Sequence, residues 1–259
     1  MSHTAHAMLV YGINAVAEGL RAGRITALRV SKRADQRMQS LLVLAHDRGV
    51  PIRRVDAHEL DRLAPNSAHQ GVVGDLKAPR EYDIEELVRD APSPGLFVVL
   101  DGIEDPHNFG AIVRTVDAAG AHGVIRQTRH AAPLGSAAAK ASAGAVAHVR
   151  IADVVNIARA IEELKALNMW TVGLAGDASV RYDQIDLTVP VALILGAEGT
   201  GLRRLVKDRC DFLVKIPMFG HVNSLNVSVA AGVALFEVVR QRNAKPSGRL
   251  VGRFPPSDV

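Results

Sequence analysis

The sequence predicts an α/β protein with a C-terminal parallel-sheet domain and a smaller N-terminal α/β domain. Three observations carry that prediction. Apolar, strand-length runs alternate with segments of helical periodicity along most of the 259 residues, the pattern of strands joined by covering helices. The run LFVVLD, beginning at Leu96, is apolar without alternation up to its last residue, as strands buried on both faces of a parallel sheet are. Between the two units, residues 77–95 hold Pro79, Pro92 and Pro94 around a charged middle, the composition of a linker with one helical turn.

Residues 1–76 form the first unit, with a strand expected at 25–30. Residues 36–48 place Met38, Leu41, Leu42, Leu44 and Ala45 at helical spacing and leave a charged face for solvent. Gly49, Val50 and Pro51 close that helix and open a strand at 52–55. A short helix over 58–63 and a strand over 71–76 complete the unit. The second unit, 96–242, starts from the LFVVLD strand. Its expected helices are 108–119 with Asn108 as N-cap, 134–145, one capped by Asp153 that runs to Leu167, and 226–242. Its other strands are expected at 123–126, 169–174, 191–195 and 212–216. Residues 243–259, with Pro246, Pro255 and Pro256, read as a disordered tail.

Composition bounds the function. Hydrophobic residues are 48% and aromatics 4%, so the core is expected to be Val, Leu, Ile and Ala. No stretch approaches the roughly 18 consecutive apolar residues of a membrane helix, and the N-terminus lacks a secretory pattern, so a cytoplasmic protein without a membrane partner is expected. One cysteine, Cys210, excludes an intramolecular disulfide and a cysteine-based zinc site; it reads as a small buried hydrophobe. His3 and His6 read as part of a mobile terminus, His107 as a loop histidine bonded to backbone, and Trp170 as core; no metal is expected. The net charge of +4, carried by 24 Arg and 7 Lys, leans mildly toward an anionic partner, since the guanidinium fork suits phosphate.

Three strand-to-loop junctions of the second unit are unusually polar or glycine-rich. In DGIEDPHNFGAIVRT, from Asp101, the acidic loop leads to a helix carrying Asn108 and Arg114, which start beside the sheet edge where open α/β sheets bind ligands. Helix capping and a solvated arginine are the plainer reading of that pair. In LILGAEGTGLRR, from Leu193, Gly196, Gly199 and Gly201 surround Glu198. The order G-x-x-G-x-G, without a following ribose-binding acid, disfavours a nicotinamide-dependent oxidoreductase, and there is no Walker A sequence. In IPMFGHVNSLNVSVAAGVALFEVVRQR, from Ile216, a loop with Gly220 precedes Ser224, read as a helix N-cap, and Asn226; Ala230, Ala231 and Gly232 suit a close helix approach. Capping alone would account for Ser224 and Asn226.

Taken together and in this order, Asn108 through Arg114, LGAEGTGL and IPMFGHVNSLNVSVAAG resemble the three motifs of the SpoU/TrmH family of RNA 2′-O-ribose methyltransferases, within the SPOUT superfamily. The resemblance covers all but the tail. VYGINAV, HQGVVGDL and LDGIEDPHNFGAIVRT are most similar to the bacterial subgroup that methylates a guanosine in the peptidyl-site loop of 23S rRNA. Phe109, Phe219 and His221 depart from that pattern at positions that bear on target choice more than on chemistry. The resemblance implies a SPOUT-type C-terminal domain with a trefoil knot, an exception to ordinary chain topology. It further implies an L30e-like, RNA-binding N-terminal domain and a homodimer whose interface draws on the final helix. The implied cofactor is S-adenosylmethionine, with S-adenosylhomocysteine as product, held by Leu174, Ala175, Gly176, Gly196, Ala197, Ile216, Met218 and Leu225. Catalytic roles are implied for Asn108, Arg114, Glu198, Ser224 and Asn226.

A ribose 2′-hydroxyl must lose its proton as it attacks the sulfonium methyl, so the protein's tasks are alignment, proton removal and charge placement. Arg114 is expected near the hydroxyl and the adjacent phosphate, with Asn108 and Asn226 as positioning groups. Glu198 is expected to orient Arg114 or a partner loop, and Ser224 to contact the target nucleotide or Arg114. A guanidinium, with a pKa above about 12, suits an electrostatic organiser better than a base. In the first unit Arg21, Arg24, Arg29, Lys32, Arg33, Arg53 and Arg54 concentrate charge suited to RNA phosphates. Alternative targets are a tRNA or a 23S rRNA adenosine of the antibiotic-resistance kind; the alternative class is a non-catalytic RNA-binding or ribosome assembly factor.

Overall fold

The structure is a computed structural model that describes residues 8–32, 36–64, 69–77, 80–133 and 136–244. His3, His6, Arg33 and the tail from residue 245 lie outside the described residues. The chain falls into two compact units. The first comprises residues up to Arg80 with Pro106–Arg114 and Ala132–Val149; the second comprises Glu81–Asp105, Thr115–Ala131 and the residues from Arg150. The first unit thus takes in two segments that follow the 77–95 stretch in sequence.

In the first unit, β1 (Met8–Tyr11) leads through α1 (Ile13–Arg21) to β2 (Ile25–Ser31), α2 (Gln36–Asp47), β3 (Ile52–Val55), α3 (Ala57–Leu63) and β4 (Val72–Leu76). The sheet order is β1-β4-β2-β3, and only β2 and β3 run parallel. β1 and α1 have no counterpart among the sequence expectations. Four residues of strand carry too little alternation to read, and pairing along β4, from Met8↔Leu76 to Tyr11↔Val73, creates it. α1 buries Ala15, Val16, Gly19 and Leu20, an apolar stripe one turn apart. Tyr11, Val55, Leu60, Ala64 and Val73 form a buried cluster.

The second unit holds α4 (Ile84–Arg89), β5 (Leu96–Asp101), β6 (Gly123–Gln127), β7 (Ile151–Val154), α7 (Ile157–Ala166), β8 (Trp170–Leu174), β9 (Val180–Arg181), β10 (Val191–Gly196), α8 (Arg204–Arg209), β11 (Phe212–Lys215) and α9 (Val227–Asn243). α5 (Pro106–Ala118) starts in the first unit and ends in the second, and α6 (Ser136–Ala141) belongs to the first. The sheet order is β7-β6-β5-β10-β8-β11-β9, and every pair is parallel. All six residues of β5 are buried, as its unbroken apolar run predicts. Phe97, Val99, Ile125, Ile161, Leu164 and Ile194 pack in one core, each burial contributing about 1.5–3 kcal/mol.

Several local expectations are corrected. Asn108 is not the N-cap of α5: the helix opens at Pro106, whose fixed φ and missing N–H suit a first position, so Asn108 is its third residue and is buried. His107 is correspondingly a first-turn residue and not a loop histidine. Asp153 caps no helix; it lies in β7, which the sequence did not predict, and accepts a hydrogen bond from Arg126 Nε at 2.8 Å. The cap of α7 is Asn156, whose Oδ1 accepts from the Arg159 N–H. Ser224 is likewise displaced as a cap by Asn226, whose Oδ1 accepts from the Ser228 N–H at 2.9 Å, so α9 begins three residues after Ser224. The helix expected over 134–145 stops at Ala141, because Ala143 enters the left-handed region at φ 51 and a 3-10 turn follows at Ala145–Ala147. Trp170 is half-buried, tilted against Phe212, and not fully in the core. β9 and α8 were not anticipated.

α5 and α6 approach each other at Gly110, where a Cβ would stand 2.5 Å from Ala141 Cβ and 2.8 Å from the Ala138 carbonyl oxygen. Gly110→Ala is therefore expected to cost about 1–3 kcal/mol in urea unfolding despite alanine's better helix propensity. An unchanged unfolding midpoint would show that the two helices yield freely.

Candidate active site

β5 and β10 lie side by side, yet the chain leaves them in opposite directions: β5 leads to β6 on one side, β10 through α8 to β11 on the other. A reversal of that kind opens a crevice beyond the carboxyl ends of the strands. A cleft of about 780 Å³, within the size range of small-molecule sites, lies on the β10 side of this pair, beyond the carboxyl ends of β10, β8 and β11. Three loops wall it. Leu174, Ala175 and Gly176 come from the end of β8, Gly196 to Leu202 from the end of β10, and Ile216, Pro217 and Met218 from the end of β11. Asn223, Ser224 and Leu225 follow, with Val227 and Ala230 of α9 closing the wall.

Backbone hydrogen bonds hold these loops. Ala175 N–H donates to the Val214 carbonyl at 2.9 Å, and Gly201 N–H to the Ala197 carbonyl at 2.8 Å. Gly196 packs so closely on the returning chain that a Cβ there would lie 2.1 Å from the Gly201 carbonyl carbon, so only glycine fits. The cleft surface is therefore largely backbone and aliphatic, with side-chain charge confined to Asp177, Glu198, Lys207 and Lys215.

All eight residues expected at the cofactor line this cleft, as do Glu198 and Ser224. Asn226 is exposed at the head of α9 and is not among the lining residues. Asn108 and Arg114 belong to the first compact unit, the former buried and the latter exposed on α5. The sequence reading missed Asp177 and Lys207, which face each other on the cleft wall: Lys207 Nζ donates to both Asp177 carboxylate oxygens at 2.9 Å. That hydrogen bond holds the Asp177 carboxyl below its ordinary range. Asp177 directly follows the predicted Gly176 and was within reach of sequence reasoning. Lys207 was not, because it sits on the unanticipated α8. No group of three or more His, Cys, Asp or Glu side chains gathers as a metal site among the described residues, and no described helix is long and apolar enough to cross a membrane.

The profile of the SpoU rRNA methylase family matches residues 95–236. The chain belongs to that family. The SpoU profile spans the sheet and all three loops of the cleft, and a second profile, RNA 2′-O ribose methyltransferase substrate binding, matches residues 9–82. The chain is 43% identical to the 23S rRNA (guanosine-2′-O-)-methyltransferase RlmB of Pseudomonas putida over 91% of its own length and 97% of that protein's. It is 44% identical to the RlmB of Haemophilus influenzae over 90% of its length and 97% of that protein's. Among solved structures it resembles the SpoU methyltransferase AviRb of Streptomyces viridochromogenes in complex with AdoMet, with a TM-score of 0.77, 26% identity and 90% of each chain covered.

Of the basic residues expected to meet phosphate, most already have partners within the first unit. Arg21 pairs with Glu18, Arg29 with Asp75 at 2.7 Å, Lys32 with Asp56 at 2.9 Å, and Arg53 with Glu59. Arg24 donates to the Val146 and Lys77 carbonyls, both at 3.0 Å. Arg54 is exposed on β3 and pairs with no carboxylate among the described residues.

Cys210 is partly exposed at the end of α8, and its Sγ–H donates to the Val206 carbonyl at 3.2 Å. Burial first, and then the Asp211 carboxylate, push its thiol up to about 12. At pH 8 the group is protonated and a poor nucleophile. Thiol titration with a disulfide reagent in the native protein is expected to run at least about 100-fold slower than with the unfolded chain. Equal rates would mean that the site opens freely.

Proposed function

We propose that this protein transfers a methyl group from S-adenosylmethionine to the ribose 2′-hydroxyl of a guanosine in 23S rRNA. The observation that carries the reading is the cleft beyond the carboxyl ends of β8, β10 and β11, where the loops after β10 and β11 match two of the SpoU motifs. The chemistry of the wall suits such a cofactor. Leu174, Ile216 and Leu225 offer apolar faces to an adenine, and the backbone of Ala175 to Gly176 and Gly196 to Ala197 offers donors and acceptors. The likeness to AviRb with AdoMet supports the same choice. Bound there, S-adenosylmethionine supplies an electrophilic methyl group on a good leaving group.

What remains for the chain is positioning and charge. Arg114, exposed on α5, steadies the developing alkoxide and the neighbouring phosphate as a fixed cation, a role that suits a guanidinium better than a base's. Glu198 and Ser224 contribute from the cleft wall, Glu198 by orienting the arginine or a loop and Ser224 by contacting the target nucleotide. Asn226 caps α9 and so fixes where that wall begins, and Asn108 anchors the first turn of α5. The first unit, with Arg54 unopposed on β3, carries the RNA-shape recognition, and a cytoplasmic location follows from the substrate. The trefoil knot and S-adenosylhomocysteine as product belong to the same reading. So does a homodimer: Val229 and Phe236 of α9 are half exposed, and Phe219 and Val222 in the preceding loop are 90% and 64% exposed, an apolar set that association would cover.

Three outcomes test these points. Mapping of 2′-O-methylation in a strain lacking the protein is expected to show loss at one 23S rRNA guanosine; loss in tRNA instead would move the target. Arg114→Ala is expected to cut turnover at least about 100-fold while the dissociation constant for S-adenosylhomocysteine stays within about twofold. Normal turnover would remove Arg114 from the chemistry. Phe236→Glu is expected to shift the sedimenting species from dimer to monomer, and a parent protein that is already monomeric would refute the dimer.

A further inference from the structure

The β10 loop that walls the cleft is tied at both ends to one residue outside it. At its start, Gly196 lies in register with Asp101, the last residue of β5. At its end, Arg203 donates its backbone N–H to Asp101 Oδ2 at 3.0 Å and its Nε–H to Asp101 Oδ1 at 2.7 Å, with Nη2 also against Oδ1. The Asp101 side chain is 0% exposed, whereas that of Arg203 is 56% exposed. Burying a carboxylate completely is costly unless it is bonded and paired. Every partner described for it is an atom of Arg203, the residue at which the loop ends. Between the two ties the loop closes on itself through Gly201 N–H to the Ala197 carbonyl, and Leu202 is buried beneath it. The whole of Gly196 to Leu202 lines the cleft, with Glu198, Gly199 and Thr200 exposed at the tip.

We propose that Asp101 is a positioning residue for cofactor binding, holding the Gly196–Leu202 wall in its binding shape through Arg203. The inference rests on the cleft being the S-adenosylmethionine site. Asp101 opens the first of the three strand-to-loop junctions and acts on the second, so the end of β5 serves the cofactor wall as well as the helix that follows. A carboxylate is required because it accepts a backbone N–H and a guanidinium together; an amide presents one acceptor oxygen and no charge.

The test uses the full chain. Asp101→Asn keeps the volume and one acceptor; Arg203→Gln keeps the backbone N–H and removes the cation. In each, S-adenosylhomocysteine binding is measured by calorimetry, hydrogen exchange across the chain by mass spectrometry, and KM for S-adenosylmethionine against kcat on 23S rRNA. Asp101→Asn is expected to weaken binding and raise KM about tenfold, with kcat at saturating cofactor within about threefold of the parent. Exchange is expected to quicken selectively at 197–203, and Arg203→Gln is expected to act in the same direction more weakly. A dissociation constant within about twofold of the parent, or faster exchange spread evenly through β5 and β10, overturns the assignment. If Asp101→Asn fails to fold, Arg203→Gln decides alone by the same criteria. A parent protein that binds no S-adenosylhomocysteine overturns the proposed function and this inference together; a parent that binds while both variants bind equally well overturns only the inference.

Discussion

The parallel pairing of β5 with β10 is the constraint on which the rest of the second unit depends. Six successive residues match from Val191↔Leu96 to Gly196↔Asp101, so the two strands end together. Their neighbours lie on opposite sides, β6 beside β5 and β8 beside β10, so no crossover fills the space beyond their carboxyl ends. A strand flanked and covered in this way has no solvent face. β5 and β10 accordingly read as continuous apolar runs, and the first polar or small residues, Asp101 and Gly196, appear where the core stops. The cleft lies on the β10 side of this pair, beyond the carboxyl ends of β10, β8 and β11, and the loops there give it chemical character.

α9 joins the two ends of those strands. Its first turn forms part of the cleft wall through Val227 and Ala230. Near its other end, Arg242 donates to the carbonyls of Pro94, Gly95, Leu187 and Val189, the segments that lead into β5 and β10. Gln241 adds a bond to the Ile185 carbonyl and accepts from the Leu187 N–H. Burial lowers the pKa of Arg242, and the four carbonyl dipoles stand where a carboxylate would otherwise be needed. A helix fastened at the strand entrances therefore presents its N-terminus to the cleft at a set height. The exposed apolar residues of α9 lie on a helix whose polar groups are largely spent on internal ties.

Charge in the first unit is distributed differently. Glu18, Asp56, Asp75 and Glu59 each hold a basic side chain, and the exposed pairs among them are worth about 0–1 kcal/mol. Such weak ties are readily exchanged for the phosphates of a polyanion, whose binding releases counterions. A modest net charge of +4 is compatible with RNA recognition on those terms.

The sequence by itself determined the α/β class, the strands at β5, β8, β10 and β11, and the loops after β10 and β11 that wall the cleft; the loop after β8 came from the family resemblance alone. Each is written locally: unbroken apolar runs mark strands buried on both faces, and glycines mark sharp turns at their ends. Membership of the SpoU family was likewise legible, because the order and spacing of three motifs survive where single residues are ambiguous. Tertiary structure decided what depends on partners distant in the chain. β1 exists because β4 is there to pair with it, and β7 because Arg126 and the neighbouring strand hold Asp153 away from the helix it resembles a cap for. The caps moved from Ser224 to Asn226 and from Asp153 to Asn156 because several adjacent side chains have suitable chemistry and only the path of the backbone selects among them. Lys207 and Arg203 acquired their places through α8 and Asp101, 30 residues from Asp177 and 102 residues away respectively, separations that no local pattern encodes.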